Sequence, residues 1–209
     1  MEQPIYAETR TPPQGRVSFE EFLEWLDEDT HAEWVDGEVI LKIPVSVEHQ
    51  KANSFLYQII SAWMNYHRLG ETYHPPLLVR FTLPNGKRVA REPDIVVILN
   101  SNPGAFTEQY FEGVPDLIVE VVSPRRRNVD RLTKLEEYEA AGVPEYWVID
   151  PERRYAEFFL LDESGAYRIV MSGSEGVYRS RVLEGFWLEV RWLWERPPVW
   201  DVLKQLGIV

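Results

Sequence analysis

Two uninterrupted apolar runs constrain the fold of this 209-residue chain more than any other feature of its sequence. The run Ile95–Leu99 ends a predicted strand over 88–99, and a second predicted strand over 116–122 carries acids only at Asp116 and Glu120. Successive side chains of a strand point to opposite faces, so continuous apolar runs predict strands that are buried on both faces. Such strands need covering layers on both sides, which is typical of α/β proteins.

The segment that follows the second strand predicts a crossover connection. Apolar residues at helical spacing predict a helix over 129–141 that ends at Gly142, and a further strand is predicted over 146–149. A helix between two buried strands favours a strand–helix–strand unit within a mixed sheet.

Further local patterns fill in the remainder of the fold. They predict a capped helix over 19–27, a hairpin of strands 33–35 and 38–41, a long helix over 47–69 closed by Gly70, a strand over 77–83, C-terminal strands near 155–161, 166–171, 177–182 and 186–191, and a helix near 198–206. The predicted fold class is α/β, with a mixed β-sheet flanked by helices, an N-terminal helix and hairpin, and extra C-terminal strands. We expect a single domain over 1–209 with a core of order αβββαβ over about 47–150.

Composition excludes several classes of function. The chain has 22 Lys and Arg against 34 Asp and Glu, a formal net charge of −12, which argues against a surface that coats nucleic acid by bulk charge. It has no cysteine, so thiolate nucleophiles, zinc ribbons and iron–sulfur clusters are impossible. With neither a predicted membrane helix nor a signal peptide, we expect a cytoplasmic protein.

Two carboxylates in the apolar strands are the candidate reactive groups. Asp94 stands at the head of the first apolar run and Glu120 lies inside the second. An ionised carboxylate that is buried without a partner costs several kcal/mol, so something should compensate both acids. If the strands are neighbours, the acids converge on one point and form an oxygen site suited to Mg²⁺ or Mn²⁺.

Basic residues near these acids are the other candidates. Val122 points to the same face as Glu120 and occupies the place where a basic residue beside a metal would be expected. Lys134, on the predicted helix, can reach back to that place and orient water or offset charge. The segment that holds Arg125, Arg126 and Arg127 is locally basic, so a phosphate backbone could dock there; a solvated loop is the alternative.

The motifs of this region resemble those of a known nuclease family. They are Glu33-Trp34-Val35-Asp36-Gly37-Glu38, Arg91-Glu92-Pro93-Asp94, the run from Pro115 to Pro124 that contains Glu120-Val121-Val122, and the run from Lys134 to Pro151 that contains Gly142-Val143-Pro144-Glu145-Tyr146-Trp147. The chain resembles the PD-(D/E)XK nuclease superfamily and, within it, the Uma-two (Uma2) family of restriction-type endonucleases, over roughly residues 18 to 160.

The resemblance implies a restriction-endonuclease-like fold and a metal-dependent endonuclease that hydrolyses DNA. It implies Asp94 and Glu120 as metal ligands, with the backbone carbonyl of Val121 as a third. Lys134 replaces the lysine that the superfamily pattern has at the position of Val122. Nucleases of this fold commonly act as dimers, so we expect a homodimer or a higher homo-oligomer, with the tryptophan-rich C-terminal segment as a candidate interface.

Other residues carry weaker expectations. Glu33 and His49 match family positions that could extend the site, and each could equally be a structural hydrogen-bonding group. Asp116 is a candidate loop anchor, and Tyr138 is either a support for Lys134 or a core residue. The alternative to an enzyme is a non-catalytic nucleic-acid-binding or assembly protein that keeps the nuclease fold, with its acids and Lys134 in a buried ion-pair network.

Overall fold

A computed structural model describes residues 11–27, 29–122 and 129–209 of the chain. The helices are α1 (Phe19–Trp25), α2 (Val47–His67), α3 (Val129–Ala141), α4 (Trp192–Glu195) and α5 (Val199–Gln205). The strands are β1 (Ala32–Val35), β2 (Glu38–Leu41), β3 (Gly70–Tyr73), β4 (Leu78–Thr82), β5 (Arg88–Arg91), β6 (Ile95–Leu99), β7 (Ala105–Phe106), β8 (Tyr110–Glu112), β9 (Leu117–Val121), β10 (Glu145–Asp150), β11 (Tyr155–Leu161), β12 (Tyr167–Gly173), β13 (Val177–Arg179) and β14 (Trp187–Glu189).

Most of the strands lie in two mixed sheets, and the predicted α/β fold class is confirmed. The first sheet has the order β2-β1-β5-β4-β8-β7, and the central sheet has the order β12-β11-β10-β9-β6-β3. β13 and β14 pair separately as a short ribbon. The predicted crossover is correct, because β9 and β10 pair in parallel and α3 connects them.

The predicted single strand over 88–99 is wrong. It is divided at Glu92–Asp94 into β5, which pairs with β4 and β1 in the first sheet, and β6, which pairs with β3 and β9 in the central sheet. Pro93 has no backbone N–H to donate to a ladder, so the chain leaves one sheet there and enters the other. This break places Asp94 at the start of β6.

The C-terminal end of α2 also differs from its prediction. Arg68, not Gly70, adopts the left-handed conformation that closes the helix, with φ of 55°. Gly70 begins β3 with φ of 151°, and a Cβ atom at this position would lie 2.1 Å from the carbonyl oxygen of Ile98. Glycine is therefore required at 70 by the close approach of β6 rather than by the helix end.

The central sheet is covered on both faces, as its apolar runs predict. Ile95 and Val97 pack with the apolar face of α2 and with the C-terminal elements, whereas Val96 and Ile98 pack with α3 and the first sheet. The same alternation holds for β9, because Val119 faces α2 and Ile118 faces α3. Residues 94 and 120 share the parity of Val96 and Ile118, so both carboxylates belong to the α3 face.

The tryptophan-rich C-terminal segment contributes mainly to the core. Trp192 is buried, and Trp187 and Trp194 pack against the cluster that α2 covers, whereas Trp200 is exposed. No helix among the described residues has the length and apolar character needed to cross a membrane.

Glu145, the first residue of β10, attaches the C-terminal segment to the central sheet. Its side chain is fully buried and accepts hydrogen bonds from donors 2.7 to 3.0 Å away. The donors are Trp147 Nε1, the Tyr178 hydroxyl, the Ser180 hydroxyl and the backbone N–H groups of Arg181 and Val182. A buried carboxyl group with this many partners is costly to alter, since every donor would lose its acceptor.

We expect Glu145→Gln to lower the free energy of unfolding by about 3 kcal/mol or more, because the new amide points N–H groups at donors. Urea denaturation followed by tryptophan fluorescence measures the change. Glu163→Gln, at an exposed residue, is the control and should be close to neutral. Equal stability of the two variants would contradict the anchoring role of Glu145.

Candidate active site

Asp94 and Glu120 lie side by side on adjacent strands. Strands β6 and β9 are antiparallel, with Ile95 opposite Val119, and continuing this register by one residue places Asp94 opposite Glu120. Side chains that face each other in this way have Cβ atoms about 4.5–5.5 Å apart. The condition that the two acid-bearing strands be neighbours is therefore met.

Asp94 is held by two donors on one of its oxygens. Its Oδ2 accepts a hydrogen bond from the backbone N–H of Val121 at 2.8 Å and lies 3.3 Å from Nε2 of His49. Burial alone raises the pKa of Asp94, but the hydrogen bond and charge of His49, the charge of Lys42 and the Val121 N–H together lower that pKa below its ordinary value. Asp94 is thus kept ionised although it is only 6% exposed.

Glu120 is held in a similar way from α3. Its Oε1 accepts a hydrogen bond of 2.8 Å from the Tyr138 hydroxyl and one of 3.0 Å from Nζ of Lys134. Burial raises the pKa of Glu120, as do the negative charges of Asp94 and Glu33, and these effects outweigh the attraction of Lys134 and Lys42. Burial also holds the pKa of Tyr138 well above its ordinary value, so its hydroxyl stays protonated and donates.

Lys134 is held between two carboxylates from different parts of the fold. Its Nζ lies 3.0 Å from Oε1 of Glu120 and 3.0 Å from Oε1 of Glu33, which is on β1 of the first sheet. The other oxygen of Glu33 pairs with Arg91 at 2.7 Å. Arg91 in turn binds Glu137 of α3 at 2.6 Å. We call Glu120, Lys134, Glu33, Arg91 and Glu137 the buried ion-pair chain.

A second charged cluster, which the sequence analysis missed, lies beside Asp94. Nζ of Lys42, just after β2, donates to the carbonyl oxygen of Glu92 at 2.7 Å and lies 3.2 Å from Oε1 of the same residue. Nδ1 of His31 also lies 3.0 Å from Oε1 of Glu92. Lys42 lies in none of the quoted motifs, and Arg91 and Glu137 lie in motifs that assign them no role, so only their position in the fold identifies these three residues as part of the site.

The carboxylates line a recess of about 90 Å³. Val122, Lys134 and Arg131 also line it, and Val122 packs in the same cluster as Ile118, on the face expected for it and Glu120. The recess adjoins a larger cleft of about 940 Å³, and Lys42, His49 and Asp94 line both.

The donor set fits Mg²⁺ or Mn²⁺. The hydrogen bonds and ion pairs that Asp94 and Glu120 form with the described residues all fall on Oδ2 and Oε1, which leaves Oδ1 and Oε2 without a hydrogen bond from those residues. The C=O of a strand residue points to the same side as its N–H, so the Val121 carbonyl faces Asp94. No cluster of at least three His, Asp or Glu side chains in the described ranges forms a metal site, but Mg²⁺ commonly needs only one or two carboxylates and completes its shell with water.

The remaining candidates divide into three groups. His49 and Glu33 lie within the site, in contact with Asp94 and Lys134 respectively. Asp116 lies outside it and anchors the loop after β6, because its Oδ2 accepts from the Leu99 N–H and from Nδ2 of Asn102 at 2.8 Å each. Arg125, Arg126 and Arg127 lie outside the described residues.

The stability contributed by Glu33 should depend on pH. Burial raises the pKa of Glu33, but the charges of Lys134, Arg91 and Lys42 outweigh it and lower the pKa from 4.5 to about 2. A pKa that is lower in the folded state stabilises the fold at pH values above the unfolded pKa, and the contribution disappears as pH falls through the folded pKa. The shift corresponds to about 3 kcal/mol at neutral pH.

We therefore expect Glu33→Gln to lower the free energy of unfolding by about 3 kcal/mol at neutral pH, with the difference from wild type narrowing between about pH 5 and pH 2. Urea unfolding across this pH range provides the measurement. Glu38→Gln, at an exposed position of the neighbouring strand β2, is the matched control and should show little difference at any pH. If the difference in free energy of unfolding between wild type and Glu33→Gln did not change with pH, the assigned ion pairs of Glu33 would be contradicted.

Comparisons with known proteins identify the family of the chain and support its fold. The sequence profile of the Uma2 family, described as "Putative restriction endonuclease", matches residues 19–191. A crystal structure of a "putative nuclease belonging to DUF820" from Anabaena variabilis superposes with a TM-score of 0.69, covering 86% of this chain and 98% of that one at 17% identity. No curated protein sequence matches the chain.

The structural likeness, at this low identity, supports the fold, and the profile match extends over both carboxylate-bearing strands and over α3. The resemblance drawn from the motifs is thereby confirmed. The chain belongs to the Uma2 family.

Proposed function

We propose that this protein is a metal-dependent endonuclease that hydrolyses phosphodiester bonds in DNA. The observation that carries the proposal is the opposition of Asp94 and Glu120 at the start of β6 and the end of β9, with Lys134 against Glu120. The family of the chain supports a nuclease, and the site supplies the residue types that phosphodiester hydrolysis requires.

In this proposal, Asp94 and Glu120 hold Mg²⁺ or Mn²⁺, together with the Val121 carbonyl. A bound ion of this kind lowers the pKa of water and stabilises charge on a phosphoryl oxygen. The Val121 N–H and His49 keep Asp94 ionised and fixed, so the ligand set needs little rearrangement. Tyr138 fixes Glu120 from the opposite side.

Lys134 takes the role of the lysine that Val122 replaces. Its Nζ is placed by Glu33 and Glu120 at the wall of the recess, where it can orient the attacking water or offset negative charge in the transition state. Arg91 binds the other carboxylate oxygen of Glu33 and fixes its orientation. Glu33 is therefore a positioning residue for Lys134 in this scheme.

Phosphate contacts are assigned to the basic segment before and within α3. Arg125, Arg126 and Arg127 precede the helix, and Arg131 lines the recess. Local positive charge is required there, because the net charge of the whole chain is −12. We also propose a cytoplasmic location, a homodimer or higher homo-oligomer, and one domain over 1–209 with its nuclease core at about 47–150.

One feature favours a second candidate, a non-catalytic nucleic-acid-binding or assembly protein that keeps the fold. Lys134 pairs with both Glu33 and Glu120, so it could serve the buried ion-pair chain alone. In that case Lys134→Met would reduce stability more than any activity, and the wild type would bind no divalent ion through Asp94 and Glu120.

The test is cleavage of plasmid and single-stranded DNA with Mg²⁺ or Mn²⁺. We expect Asp94→Asn and Glu120→Gln to reduce the rate by more than about 100-fold and to weaken Mn²⁺ binding in calorimetry, because each removes a charged oxygen ligand. Lys134→Met should reduce the rate by roughly 100-fold and retain Mn²⁺ binding, since it contacts no metal.

Asp201→Asn and Glu163→Gln, at exposed positions, are controls for the charge change itself. Circular dichroism should show that every variant is folded. The absence of both cleavage and Mn²⁺ binding in the wild type would reject the enzyme and favour the non-catalytic alternative.

A further inference from the structure

Apart from His49 and Asp94, the residues that line the cleft of about 940 Å³ beside the recess take part in no step of the proposed reaction. One wall is a polar stripe of α2, which is the face opposite to its apolar, sheet-packing face. The stripe consists of Gln50, Asn53, Ser54, Tyr57 and Gln58. A helix face that presents polar side chains to a concave space of this size has the character of a ligand site.

Two rings in the cleft form a fixed aromatic surface. Tyr57 on α2 and His74 after β3 have their ring centroids 4.6 Å apart and their planes at 89°. The Tyr57 hydroxyl is 3.5 Å from the carbonyl oxygen of Thr72, and His74 Nδ1 is 2.7 Å from the carbonyl oxygen of Pro75. Rings of this kind bind unpaired nucleobases by stacking, whatever the base.

Two polar atoms near this surface lack a partner among the described residues. They are Oδ1 of Asn53 and Nδ1 of His49, a residue that is only 3% exposed. A buried acceptor without a hydrogen bond is costly, and a ligand that donates to it removes the cost. Asparagine amides pair with base edges, which carry such donors. His49 also contacts Asp94, so it joins the cleft to the carboxylates.

The depth of the carboxylates favours a flexible strand over a rigid duplex. Asp94 and Lys134 are only 6% and 5% exposed, and the space above them is about 90 Å³. A stacked duplex would have to deform to bring a phosphate into this recess, whereas an unpaired strand bends into it at little cost. The acidic balance of the chain also gives little general affinity for a duplex.

We propose that the cleft binds an unpaired nucleotide next to the scissile phosphate, so that the substrate is single-stranded DNA or an unpaired segment of DNA. This inference rests on the proposed function for the position of the scissile phosphate. His74 stacks on the base, Tyr57 packs against the His74 ring at 89° and supports it, and Asn53 accepts from the base edge. These are binding residues, and they take no part in the bond cleavage itself.

Fluorescence anisotropy tests the binding with a short fluorescein-labelled DNA strand and its blunt duplex, in EDTA at fixed low salt. We expect the strand to bind at least about tenfold more tightly than the duplex, and His74→Ala and Asn53→Ala each to weaken strand binding by roughly fivefold or more. Asn65→Ala and His67→Ala change the same residue types at the far end of α2, outside the cleft, and should leave binding unchanged.

Cleavage assays with Mn²⁺ on the same probes separate this inference from the proposed function. In the cleft variants, KM for the strand should rise while kcat changes little, because the reacting groups are untouched. Equal binding of strand and duplex, or cleft variants that bind like the controls, would overturn the inference. Cleavage of the duplex that depends on Asp94 would then still support the proposed nuclease activity. If the single strand binds in a way that needs Asn53 and His74 but is not cleaved, the result supports nucleotide binding in the cleft and rejects the proposed nuclease activity.

Discussion

The burial of Asp94 and Glu120 next to each other is the constraint on which the rest of this structure depends. Two carboxylates on one face of a sheet repel each other and lose hydration, so the fold must supply donors and positive charge around them. It does so from three elements: the β9 backbone through Val121, α2 through His49, and α3 through Lys134 and Tyr138. The resulting arrangement holds one oxygen of each acid and leaves the other free of hydrogen bonds from the described residues.

The buried ion-pair chain joins this face to the first sheet. Glu120, Lys134, Glu33, Arg91 and Glu137 alternate in charge, and Lys87 closes the far end on Glu137 at 2.7 Å. Alternation satisfies each buried charge by its neighbours, which is the condition under which such charges are tolerated. The hairpin that carries Glu33 is therefore part of the site, although it lies far from β9 in sequence.

The sequence was informative where the local pattern reflects a local cause. The capping box at Ser18 and Glu21 is formed, and the hairpin turns at Asp36-Gly37 as predicted. The apolar runs of β6 and β9 correctly predicted burial on both faces. The division of the predicted strand at Pro93 was missed, because apolar continuity does not tell to which sheet each part belongs.

By itself, the sequence determined the fold class through its periodicity and the family through its motifs, and it singled out Asp94 and Glu120 as candidates, because these patterns are properties of the chain alone. Only the tertiary structure decided which partners these acids receive. The sequence gives no signal for a role of Lys42 or of the polar stripe of α2, and the motif that contains Arg91 does not show its partner. The contacts of Lys42 and Arg91 join residues tens of positions apart. Such contacts depend on how sheets and helices pack, so they become visible only once the layers are in place.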